Sequence, residues 1–128
     1  MKLKLIIHVN EPERWLIALG NITNFLNDVG DENAEVIVVA NGAGVKGYVG
    51  KPEKTDIQGE ACVIGGLAAN IETMKNLSKR GVVFTACSNA LKAQGIKLEE
   101  LPDFIRVIPA GMTEMTKRQM EGFAYIKP

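Results

Sequence analysis

The residues Val36-Ile37-Val38-Val39-Ala40 form an unbroken apolar run, mostly β-branched, opened by Glu35 and stopped by Asn41-Gly42. A strand with one wet face alternates apolar and polar residues, whereas a run with no polar positions fits a strand buried on both faces, at the centre of a parallel sheet. Parallel neighbours need long crossovers, usually helices, so the flanking chain should alternate between strand and helix.

It does. Leu3 to Val9 reads as a first strand. Asn10 can cap the next helix, Pro12 suits its first turn, and Trp15, Leu19, Ile22, Leu26 and Val29 recur on one helical face before Gly30 ends it. A short helix is expected through Val45 to Val49, then an exposed loop from Gly50 to Glu60, rich in proline, glycine and mixed charge. Ile64 to Arg80 returns to helical spacing, with Leu67, Ile71, Met74 and Leu77 on one side and Gly81 as the stop. Val82 to Ala86 is a third strand and Ser88 to Gln94 a short helix ended by Gly95. One further turn is expected at Lys97 to Leu101, then a strand at Ile105 to Ile108, a helix from Thr113 to Glu121, and a terminal strand at Phe123 to Ile126.

The expected fold is α/β: five mostly parallel strands with helices on both faces, a flavodoxin-like three-layer sandwich of strand order 2-1-3-4-5. Its ligand crevice would lie beyond the carboxyl ends of the strands, near the switch between strands 1 and 3. The residues at those ends are His8, Asn10, Asn41, Gly42, Cys87, Ser88, Asn89 and Gly111.

With 128 residues, 46% of them apolar, the chain can build one core, and a single domain over 1–128 is expected. Fifteen basic and fifteen acidic residues cancel, so no global field draws the protein to nucleic acid or to an anionic membrane. The apolar run Leu5 to Val9 is too short for a signal peptide or a membrane span. A cytoplasmic location follows as the expectation, with Cys62 and Cys87 as thiols rather than a structural disulfide.

Cys87 carries the most chemistry. It stands where the third strand hands over to a helix, and the first amides of a helix favour negative charge. A free thiol titrates at about 8.5, and such a position biases it towards thiolate. Against this stands the reading of Cys87 as a small buried hydrophobe ending an apolar strand. Ser88 and Asn89 open the same helix, with Lys92 one turn along.

His8 is the sole histidine, so a histidine metal cluster is excluded, and neither a metal nor a cofactor is expected. His8 can serve a sulfur group if strand 1 neighbours strand 3; otherwise it is a satisfied histidine at a strand end. Asn10, Asn41 and Asn89 are candidate ligand contacts or caps. Gly42-Ala43-Gly44-Val45-Lys46-Gly47 matches the dinucleotide fingerprint G-x-G-x-x-G, but it follows the second strand, and no strand ending in an acidic residue lies at the required distance. A glycine-permitted tight turn is the preferred reading.

Three segments together resemble the DsrE/DsrF-like family: Gly81 to Leu91 around Cys87, Val107-Ile108-Pro109-Ala110-Gly111, and Gln119 to Pro128. Ile7-His8-Val9-Asn10-Glu11-Pro12 and Val39-Ala40-Asn41-Gly42 are similar to it too, so the likeness spans nearly the whole chain. The resemblance implies a compact α/β sandwich, homo-oligomers that are commonly trimers or hexamers, and a cysteine, here Cys87, that carries sulfur as a persulfide. The expected function is thus a sulfur-relay protein that exchanges sulfane sulfur with donor or acceptor proteins. The alternative is a non-catalytic oligomeric module that binds a small ligand at the same strand-end rim.

Overall fold

The computed structural model describes residues 2–49 and 60–128, with residues 60–68 described as helical backbone alone. Five strands, β1 (Leu3–Val9), β2 (Ala34–Ala40), β3 (Val83–Cys87), β4 (Ile105–Ile108) and β5 (Ala124–Ile126), form one sheet. Every pairing in it is parallel. The helices are α1 (Trp15–Val29), α2 (Glu60–Lys79), α3 (Ser88–Gln94) and α4 (Gly111–Met120). The loop expected from Gly50 onward lies outside the described residues up to position 59, and α2 begins at Glu60.

The strand order is β4-β3-β2-β1-β5, not 2-1-3-4-5. Burial explains it. Residues 36–40 of β2 are buried throughout, as are all of β3 after Val83 and residues 5–9 of β1. In β4, Arg106 and Val107 are exposed, and so are all three residues of β5. The short strands that cannot be buried on both faces therefore take the two edges.

The chain walks outward from β1 to β4 and then crosses back to β5. With right-handed crossovers, α1, α2 and α3 fall on one face and the returning α4 on the other. The main face holds Leu5, Ile7, Val36, Val38 and Phe84 against Trp15, Leu19, Ile22, Met74 and Leu91. The α4 face holds Ile6, Ile37, Val39 and Ile108 against Met115 and Phe123.

Besides shifts of one to four residues at the starts of β3, α2 and β5, local outcomes differ from expectation at three helix starts. Pro12–Arg14 is a 3-10 turn with Glu11 at its cap position, so Asn10 does not cap it. Gly42–Tyr48 is a 3-10 helix rather than the short helix expected from Val45. The last helix starts at Gly111 with Ala110 at the cap position, so Thr113 lies within it.

The glycine motif is accounted for by packing. Gly42 has φ +53°, a Cβ on Gly44 would collide with the Val9 carbonyl, and a Cβ on Gly47 with the Trp15 indole. Trp15 Nε1 donates to the Gly44 carbonyl at 2.8 Å, closing the 3-10 helix onto α1. Buried Tyr48 donates to the Thr85 carbonyl at 2.9 Å, and burial holds its phenol well above the usual range.

Candidate functional site at the carboxyl ends of the sheet

Adjacent strands β3 and β4 end at Cys87 and Ile108, which are partners in register. From there the chain leaves towards opposite faces, α3 packing Ala90 and Leu91 into the main core and α4 packing Met115 onto the other side. That divergence is a topological switch point, and in open α/β sheets ligands bind in the crevice it leaves. The switch expected between strands 1 and 3 is absent because β2 separates them.

Cys87 is the last residue of β3 and the cap position of α3, with extended backbone at φ −72° and ψ 122°. The sequence expectation of a strand-to-helix cysteine is met. Its exposure is only 6%, and it belongs to the main core with Ala86, Ala90 and Leu91. Position thus agrees with the reactive reading, and burial with the hydrophobic one. Ser88 is half-buried, and Asn89 and Lys92 are exposed beside it. Cys62 lies in α2, where its side chain falls outside the described residues.

His8 stands on β1, two strands from β3, so it does not reach Cys87 as a neighbour-strand base. Instead it is buried and doubly bonded: Nε2 lies 2.8 Å from Asn41 Oδ1, and Nδ1 lies 2.6 Å from the Tyr125 hydroxyl. An amide oxygen can only accept, so Nε2 carries the hydrogen and donates to Asn41. In the neutral ring, Nδ1 then accepts from Tyr125. Tyr125 was not singled out as a site residue by sequence, and the signal for it was the C-terminal Tyr125-Ile126 ending.

Asn41 follows β2 directly. β2 pairs with β3 as far as Ala40 opposite Ala86, one residue short of Asn41 and Cys87. Buried Gly111, first residue of α4, lies against Asn41: a Cβ there would come within 3.2 Å of Val39 Cγ1 and 3.3 Å of Asn41 Cβ. Half-buried Asn10 sits beneath exposed Gly42, and its buried Oδ1 has no hydrogen-bond partner among the described residues. The fold thus joins His8, Asn41, Tyr125 and Gly111 into one contact group, with Cys87 on the adjoining strand. Asn10 and Gly42 form a second group on the other side of Asn41.

Cavities among the described residues lie elsewhere. One of about 360 Å³ opens over the amino-terminal half of the sheet between Ile37, Val83 and Arg106, and one of about 530 Å³ follows Leu3, Phe25 and Ile126. Neither is lined by Cys87. Among the described residues no three His, Cys, Asp or Glu side chains converge on a possible metal position, and no helix is long and apolar enough to cross a membrane.

No curated protein matches the chain. Among solved structures it is similar to a protein of unknown function, MTH1491 from Methanobacterium thermoautotrophicum, at 28% identity and TM-score 0.75, covering 99% of this chain and 100% of that one. The ychN protein from E. coli shares the fold at 14% identity and TM-score 0.71, each chain covered fully. So does BT1422 from Bacteroides thetaiotaomicron, at 16% identity and TM-score 0.60, with 98% and 94% covered. The parallel sheet with its strand-end cysteine and the match of the DsrE/DsrF-like family model over residues 6–128 lead to one conclusion: the chain belongs to the DsrE/DsrF-like family.

Proposed function

We propose that this protein is a sulfur carrier whose working atom is the Cys87 sulfur. Family membership suggests sulfur relay at the level of the family, and the observation that carries the reading to a residue is the seat of Cys87 at the β3/β4 switch point. In the proposed cycle the Cys87 thiol gives its proton to solvent, and the thiolate attacks the outer sulfur of a donor persulfide. The donor S–S bond breaks, the donor leaves as thiolate, and Cys87 holds the persulfide. An acceptor thiolate then attacks that outer sulfur, takes it, and releases the Cys87 thiolate. The two exchanges are thiol–disulfide chemistry in form, with no net oxidation.

Partner proteins would supply and take the sulfur, and self-association into a trimer or hexamer in the cytoplasm belongs to the same reading. Apolar side chains support the assembly: Met112 and Met120 on α4, and Tyr125 and Ile126 on β5, are all exposed. Light scattering at micromolar concentration should report three or six copies, and a monomer would count against it.

A binding module without sulfur chemistry is the second reading, favoured by the buried, unpartnered Asn10 Oδ1, which a ligand donor would satisfy. Intact-mass measurement after incubation with a sulfane-sulfur donor separates the two. The carrier gains the mass of one sulfur atom on the peptide holding Cys87, and the binding module gains nothing.

A further inference from the structure

We propose that the cavity over the amino-terminal half of the sheet is a binding site for a small organic acid, an apolar body bearing one carboxylate, and that Arg106 receives the carboxylate. Register builds the floor. Ile37 pairs with Val83 and Thr85 with Arg106, and strand alternation turns all four towards the face that carries α4. α4 packs over β2 and β5, so the β3–β4 side of that face stays open as a cavity of about 360 Å³, a size that suits a small molecule. The floor is apolar: Ile37 and Val83 are aliphatic, and the hydroxyl of buried Thr85 already donates to the Val38 carbonyl at 2.8 Å.

The walls are charged, and most of their charges are spent on one another. Arg118, on α4, donates through Nε to Glu114 at 2.8 Å and through Nη1 to Glu121 at 3.0 Å, and Arg80 is held by Asp31 at 2.8 Å. Glu35 is in register with Lys4 and lies four strand positions, about 13 Å along the sheet, from the level of Arg106. Arg106 is the exception. Among the described residues ion pairs form at Arg14, Arg80 and Arg118 and none at Arg106. An uncommitted guanidinium beside an apolar floor is complementary to a carboxylate on an apolar body, because the planar fork matches the carboxylate with two hydrogen bonds. A neutral apolar ligand would leave the fork unused, and a bare oxyanion would leave the floor unused. This site goes beyond the sulfur-carrier reading and does not depend on it.

The test is a titration of the full-length, isotopically labelled protein with benzoate, followed by NMR of the backbone amides. Saturable shifts are expected at Val83 to Thr85 and at Arg106, at roughly 1–10 mM for a probe this small. Benzamide, which has the same ring and no charge, should shift none of them. Arg106 is exposed on an edge strand, so Arg106→Gln should keep the spectrum elsewhere while weakening benzoate about tenfold, the loss of a charged hydrogen-bond pair. Arg106→Lys, which keeps the charge without the fork, should weaken it about threefold. Inorganic phosphate binding as tightly as benzoate would overturn the organic-acid assignment, and undiminished benzoate binding in Arg106→Gln would overturn the role of Arg106. Absence of saturable shifts in the wild-type protein, whether the cavity is unsuited or covered by a second copy, would overturn the site.

Discussion

The two faces of the sheet are built on different terms. One carries three helices and a 3-10 helix over a large, mostly apolar core that includes Trp15, Tyr48 and Phe84. The other carries α4 alone over a small cluster that includes Ile6, with Val83 packed against it, and strand alternation from Ile6 and Val83 sets the buried His8 and Thr85 on that side. The first face supplies the bulk of the hydrophobic stabilisation, which scales with apolar area removed from water. The second is where polar groups are kept in fixed geometry, as with His8 between Asn41 and Tyr125. A sheet can hold such a group near its carboxyl edge because the opposite face secures the fold.

The sharpest way to break this contrast is to truncate one anchor on each face. Trp15 is 1% exposed, packs at 5.1 Å centroid distance on Tyr48, and donates to Gly44. Trp15→Ala should cost about 3–5 kcal/mol in denaturant unfolding, as large-to-small core changes do. Met115→Ala, on α4, should cost about 2–3 kcal/mol. Hydrogen exchange in that variant should rise first in α4 and β5 while α1 stays protected. Equal costs, or uniform loss of protection, would mean that the faces are not distinct.

Tyr125→Phe probes the polar group itself. It removes the hydroxyl bonded to the buried His8 ring, and about 1 kcal/mol of stability should go with that bond. The loss should concentrate as fraying of β5, seen by exchange of the amides of Ala124 to Ile126.

The smallest effect is expected at an exposed ion pair by the amino-terminal ends of β2 and β3. Asp31 accepts hydrogen bonds from Arg80 at 2.8–3.1 Å, and these hold its carboxyl below the usual range against an opposing desolvation, with the Arg80 charge adding to them. A lowered folded-state value means that this contribution is complete above the ordinary carboxylate range and is lost as pH falls through it towards the lowered value. Solvent screens the exposed pair, so acid unfolding of Asp31→Asn should nearly overlay that of the wild-type protein. A large separation of the two curves would give this exposed pair a structural weight like that of the buried cores.

Much of the fold was legible because strand character and helix stops are local. The unbroken run at Val36 to Ala40, the limits of β1 and β4, and the α3 helix ended by Gly95 all follow from neighbouring residues. Strand order did not, although Arg106 in β4 and the short β5 marked the edges. The order 2-1-3-4-5 would have buried β4, whose middle residues are exposed. Cys87 could be placed at a strand end from its own segment. The His8–Tyr125 contact joins residues far apart in sequence and exists only because β5 pairs with β1, so no local pattern reports it. The burial of Cys87 likewise depends on how α3 turns onto the main core.

The central claim is that sulfur is carried on Cys87. Its most direct test is to treat the wild-type protein, Cys87→Ser and Cys62→Ser in parallel with a sulfane-sulfur donor and weigh each intact. The wild-type protein and Cys62→Ser should each gain one sulfur atom that a thiol acceptor removes, and Cys87→Ser, folded and assembled as before, should gain none. Undiminished sulfur uptake by Cys87→Ser would contradict the claim.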